Sequence, residues 1–89
     1  MDDVFQLKAA RNALDLTRRQ LADASGVSSE TIKRLEKQSG KLRGNVTTIA
    51  AIQTALESAG VEFIPENGGG AGVRLKKGAR VPQVNGGDE

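Results

Sequence analysis

Cysteine and histidine are both absent from the 89 residues. Their absence removes disulfides, Cys/His zinc sites, thiol chemistry and histidine general-base catalysis. There is no secretory apolar core and no apolar run long enough for a bilayer, so no membrane association is expected and the simplest compartment is the cytoplasm. A large charge imbalance is missing too: the net charge is only +2, which by itself points to no nucleic-acid partner. The chain shows no nucleophile–base pair, phosphate loop or metal-ligand spacing. Asp2, Asp3, Glu57, Glu62 and Glu66 are explained by helix caps and exposed faces. Glycines 68–70 lack the strand-to-helix context of a phosphate-binding loop. The expectation is a protein that is not an enzyme, with no cofactor and no metal. At this length one domain is expected. So small a domain buries a limited fraction of its surface, which makes pairing with a second copy an option from the start.

What is present is helical periodicity followed by a change of character. Val4, Leu7, Ala10, Arg11 and Leu14 form one inward stripe of a first helix over about residues 3–14. Asp2 and Asp3 sit at its positive N-terminal end. Thr17, with Gln20 three positions on, matches a capping box that opens a second helix. Leu21, Ala22 and Ala24 are its apolar positions. Gly26 suits a left-handed C-cap because it has no Cβ to clash. Val27 is the apolar plug of the turn, Ser28 caps a third helix, and Ile32 and Leu35 face inward. Residues 37–44 are polar, with glycines at 40 and 44, and read as a loop. Asn45 caps a fourth helix, in which Val46, Ile49, Ala50, Ile52, Gln53 and Leu56 follow at three-to-four spacing up to Gly60.

Beyond Gly60 the sequence VEFI is β-prone, PENGGG is a turn signal, and GVRLK alternates. A β-hairpin or two short strands is expected. A lone hairpin is marginal in water, so it should pack on the helices or pair with another chain. The expected organisation is a helical unit over 1–60, a hairpin over 61–77 as a possible dimerisation element, and a flexible tail over 78–89.

Charge is unevenly placed. Between positions 17 and 43 lie seven cations (Arg18, Arg19, Lys33, Arg34, Lys37, Lys41, Arg43) and three anions (Asp23, Glu30, Glu36). That is a local +4, leaving −2 elsewhere. A basic patch on a nearly neutral protein is a better nucleic-acid signal than uniform basicity, although a solvated helix surface explains the same charges. Projected at 100° per residue, the third helix puts Thr31, Ile32 and Leu35 on one side. Ser29, Glu30, Lys33, Arg34 and Lys37 fall on the other. Two short helices joined by a glycine turn, the second with an outward polar face, form a helix-turn-helix, which lays its second helix in the DNA major groove. On that layout Lys33 or Arg34 suits guanine O6/N7, and Glu30 suits a cytosine amino group. Ser28, Ser29 and Thr31 suit bases or phosphates. Arg18 lies where backbone N–H groups and a cation can grip a phosphate together. Lys41, Arg43 and Asn45 are loop candidates for neighbouring phosphates.

Each residue also has a plainer reading. Ser28 is an N-cap whether or not it touches DNA. Glu30 complements the helix dipole. Lys33, Arg34 and Lys37 are ordinary surface cations in most helices. Glu36 lies between the two faces of its helix, and Arg11 lies on the inward stripe of the first, so a pair between them would tie the two helices together.

The stretch LKAARNALDLTRRQLADASGVSSETIKRLEK resembles the small repressor domains of the Cro/C1, or XRE, family. The matching positions are Arg11, Leu16, Thr17, Gln20, Leu21, Ala22, Gly26, Val27, Ser28, Ile32, Leu35 and Glu36, and the resemblance covers about residues 5–63. It implies a mainly α fold: a four-helix lambda-repressor-like domain, here followed by a short C-terminal β-hairpin or strand pair. It implies base readout by Ser29, Glu30, Lys33 and Arg34. It implies phosphate contacts from Arg18, Ser28, Lys37, Arg43 and Asn45, and it supports a structural Arg11–Glu36 pair. Two departures stand out. Arg18 replaces the glutamine or other polar residue common at that position. A glycine-rich hairpin stands where a fifth helix is usual, so a dimer through Val61, Phe63, Ile64, Val73 and Leu75 is expected. The leading functional expectation is a dimeric repressor that binds double-stranded DNA at an inverted repeat. The alternative is an antitoxin-like or anti-activator module on the same fold, with a protein partner and secondary DNA binding.

Overall fold

The computed structural model describes residues 1–77; the tail expected over 78–89 lies outside the described residues. Four helices, α1 (Val4–Ala13), α2 (Arg18–Ser25), α3 (Ser29–Glu36) and α4 (Val46–Ser58), precede two strands, β1 (Val61–Ile64) and β2 (Gly72–Leu75). Each helix starts at a side chain that accepts from an otherwise orphaned backbone N–H. Asp3 accepts from Phe5 N over 2.7 Å, and Gln6 reaches back to Asp2 N and Asp3 N at 2.8 and 3.2 Å. Thr17 and Gln20 satisfy one another's backbones reciprocally. Ser28 and Asn45 each accept from the third residue of the following helix, Thr31 and Thr48, over 3.1 Å.

The inward stripes converge on one core. Leu7, Ala10, Leu14, Leu16, Leu21, Ile32, Leu35, Ile52, Leu56 and Val61 are all buried. Val46 and Ala50 depart from the expected stripe: Val46 is 81 % exposed and Ala50 is exposed as well. Ile52 and Leu56 define the inward side of α4. Val46 lies six residues before Ile52, about 120° around the helix from it, and so turns outward.

The strands are antiparallel, pairing Val61 with Leu75, Glu62 with Arg74, Phe63 with Val73 and Ile64 with Gly72. The hairpin does not stand alone. Val61 is fully buried, and Phe63 and Val73 pack against the helical core. Gln6, itself 1 % exposed, donates through its side-chain amide to Ile64 O and Gly72 O at 3.1 and 3.0 Å. Its amide nitrogen therefore holds the hairpin while its oxygen caps α1. This corrects the expected interface set. Val61 is a core residue and offers nothing to a second copy, and Phe63 and Val73 are largely used inside the chain. Ile64 is half-buried, and Leu75 is 41 % exposed.

Candidate nucleic-acid interface

Helices α2 and α3 are held together by Leu21 from one side and by Ile32 and Leu35 from the other, all buried. The bend between them needs a left-handed residue. Gly26 supplies it at φ +76°, and its N–H closes α2 on Ala22 O over 2.9 Å. Val27 follows, half-buried against the core, so the turn is anchored before Ser28 opens α3.

With Ile32 and Leu35 inward, α3 shows solvent a polar face. Glu30, Lys33, Arg34 and Lys37 are exposed and line one shallow concavity. Ser29 and Thr31 are half-buried beside them. The Thr31 hydroxyl accepts from the Ser28 hydroxyl over 3.0 Å, so Ser28 is engaged in capping through both its acceptor and its donor. Among the described residues none of Lys33, Arg34, Lys37, Lys41 and Arg43 takes part in a salt bridge. Their charge is left to whatever approaches from solvent.

The loop between α3 and α4 is braced. Val4 N donates to Gly40 O at 3.0 Å and Leu42 N to Asp2 O at 2.9 Å, with an antiparallel bridge between Asp3 and Lys41. The Gln38 amide donates to Arg43 O at 2.6 Å and accepts from Arg43 N at 2.8 Å. Gly44 comes so close to the core that a Cβ there would lie 3.1 Å from Leu35 Cδ2. Lys41, Arg43 and Asn45 therefore project from a positioned segment. The sequence marks the loop but not its pairing with residues 2–4 or the role of Gln38. Neither has a local signature.

Glu36 closes the site from below. Its side chain is 3 % exposed and that of Arg11 14 %. Arg11 Nε donates to Oε2 at 2.7 Å and Nη2 to Oε1 at 3.0 Å, while Nη1 holds Leu16 O at 2.8 Å. Arg18, the first residue of α2, also reaches Glu36, with Nε 2.9 Å from Oε1. Burial alone would raise the Glu36 pKa; the hydrogen bonds and charges of Arg11 and Arg18 outweigh it and hold the carboxyl below its ordinary range. From the sequence, Arg18 is expected on a phosphate only. Its bond to Glu36 links residues 18 positions apart on different helices and has no periodic signal.

Among the described residues no group of His, Cys, Asp and Glu is placed to hold a metal ion, and no helix is long and apolar enough to cross a membrane. A capped helix, a left-handed glycine turn and a second helix with its cations outward define a helix-turn-helix DNA-binding domain. A family model described as "Helix-turn-helix" matches residues 7–56, more than half of the chain. The protein belongs to that family, the Cro/C1-type, or XRE, helix-turn-helix regulators, which are DNA-binding regulators and not enzymes. No curated protein matches the sequence.

Proposed function

We propose that the protein is a sequence-specific repressor that binds an inverted repeat as a dimer, with α3 of each copy in the major groove. The observation that carries this reading is the exposed row Glu30, Lys33, Arg34 and Lys37 on α3, whose cations have no salt-bridge partner among the described residues. Ser29, Glu30, Lys33 and Arg34 read base edges. Arg34 or Lys33 takes guanine O6/N7 and Glu30 takes a cytosine amino group. Lys37, Lys41, Arg43, Asn45 and Arg18 hold the flanking phosphates, while the Ser28 hydroxyl stays with the α3 cap. The dimer forms along the outer edge of the hairpin. Among the described residues the two-stranded sheet has no further strand there, and Leu75, 41 % exposed, remains available.

Selection of bound duplexes from a random pool tests the reading. A palindromic or near-palindromic consensus, with half-sites about one helical turn apart, is the expected product. Sedimentation of the protein–DNA complex should give two chains per duplex. A pool that shows no enrichment, or binding of a single copy to an asymmetric site, would overturn it.

A further inference from the structure

One carboxylate at the end of α3 holds two guanidiniums, and they are used very differently. Arg11 commits Nε, Nη1 and Nη2 to protein acceptors and is nearly buried. Arg18 commits only Nε, and its side chain is 44 % exposed. Among the described residues its Nη1 and Nη2 donate to no protein acceptor. Two cations against one anion leave a positive charge at the junction of α2 and α3, fixed by a side chain that is itself 3 % exposed.

We propose that Glu36, acting through Arg18, is a positioning residue for DNA. The carboxylate fixes the Arg18 guanidinium by Nε, and Nη1 and Nη2 take the oxygens of one backbone phosphate. The inference rests on the DNA-binding reading above. A planar guanidinium can serve two anions at once, one on its Nε edge and one on its Nη edge; an ammonium presents no such fork. Anchoring by Glu36 removes rotamer freedom before DNA arrives, so less is lost on binding. Because Glu36 is the last residue of α3, the phosphate grip is fixed relative to the helix that reads bases. A purely structural Arg18, serving only as a second counter-ion, gives a different outcome: its loss would lower the melting temperature and leave the salt dependence of binding unchanged.

The experiment uses the full chain and a duplex enriched from a random pool, titrated by fluorescence anisotropy across a salt series. Arg18→Gln is expected to reduce the slope of log K against log[salt] by about 0.9, the signature of one lost phosphate contact. It should weaken binding about tenfold, the worth of one charge-assisted hydrogen bond, with a melting temperature close to that of the unaltered protein. Arg18→Lys should keep the slope and still lose affinity about threefold or more, because the charge survives and the fork does not. Glu36→Gln, measured where circular dichroism shows it folded, should weaken binding when Arg18 is present and add nothing to Arg18→Gln. An Arg18→Gln protein with unchanged slope and affinity, or an Arg18→Lys protein that binds like the original, would overturn the proposal. So would a Glu36→Gln effect of equal size in both backgrounds. If Glu36→Gln does not fold, the two Arg18 variants decide. Failure of the unaltered protein to enrich any sequence would instead remove the DNA reading itself, and this inference with it.

Discussion

Replacing Glu36 by glutamine isolates the charge that joins α1, α2 and α3 while preserving side-chain shape. The change leaves Arg11, 14 % exposed and bound to both Glu36 oxygens at 2.7 and 3.0 Å, facing a neutral amide with one acceptor. Removing one partner of a buried pair costs about 3–5 kcal/mol, mostly because the other charge is left uncompensated. A domain of this size has roughly 5–15 kcal/mol in total, so about a fifth or more of its stability is at stake. The corresponding fall in melting temperature is about 15 °C or more. Arg18→Gln should cost under about 1 kcal/mol, because that side chain is 44 % exposed and solvent screens the pair. The contrast between the two variants separates a buried pair from an exposed one around a single carboxylate.

The assay is urea denaturation followed by far-ultraviolet circular dichroism, because the chain has no tryptophan or tyrosine to report by fluorescence. Acidity supplies a second check. Burial acts to raise the Glu36 pKa, and the two arginines more than reverse it, so the folded value lies below the ordinary 4.5. A lowered folded pKa means that the stabilisation is complete above about 4.5 and fades as pH falls through the lower folded value. The gap between the original protein and Glu36→Gln should therefore be constant from neutral pH to about 5 and shrink below 4.5. A gap under about 1 kcal/mol at neutral pH, or one that widens on acidification, would refute the reasoning.

Three further outcomes follow from the geometry. Gly26→Ala should destabilise by about 1–2 kcal/mol and Gly26→Asn by less, because no atom lies within 4 Å of a Cβ there and only the positive φ of +76° is penalised; thermal melts of the pair check this. Gln6→Leu should strip hydrogen-exchange protection from the hairpin first, since the Gln6 amide donates to both Ile64 O and Gly72 O; unchanged protection across 61–75 would show that apolar packing holds the strands. Arg34→Ala should weaken binding to a selected duplex about tenfold or more while leaving the urea midpoint unchanged, as befits an exposed side chain without a salt bridge.

The parts of this fold that are legible in the sequence are those decided within about four residues. Thr17, Ser28 and Asn45 are caps because each faces an N–H two or three positions ahead, and Gly26 is a C-cap because its own φ must be positive. The α3 surface follows from 100° periodicity once Ile32 and Leu35 are assigned inward. The parts that escaped depend on chain segments meeting. Gln6 is a polar residue among the buried positions of α1, and its partners lie 58 and 66 residues away. The pairing of residues 2–4 with 40–42 uses backbone groups, on which side-chain patterns carry no information. Arg18 carries the same charge whether it meets Glu36 or solvent. Val46 matched the spacing of an inward stripe, yet only the placement of Ile52 and Leu56 shows that it faces out.

The burial of the hairpin also constrains how a dimer can work. Val61, Phe63 and Val73 face this chain's own core, so a contact along the strand edge has little apolar area left beyond Leu75 and part of Ile64. Burying such a side chain fully is worth about 1.5–3 kcal/mol, and joining two free chains costs at least about 4 kcal/mol of lost translation and rotation. One apolar pair and a few ladder hydrogen bonds barely exceed that cost. A dimer built this way would therefore be weak in free solution and completed on the duplex, where two half-sites hold both copies at high effective concentration. Its assembly would then follow DNA occupancy, and Leu75→Asp would reduce cooperativity between half-sites more than it reduces binding to one of them.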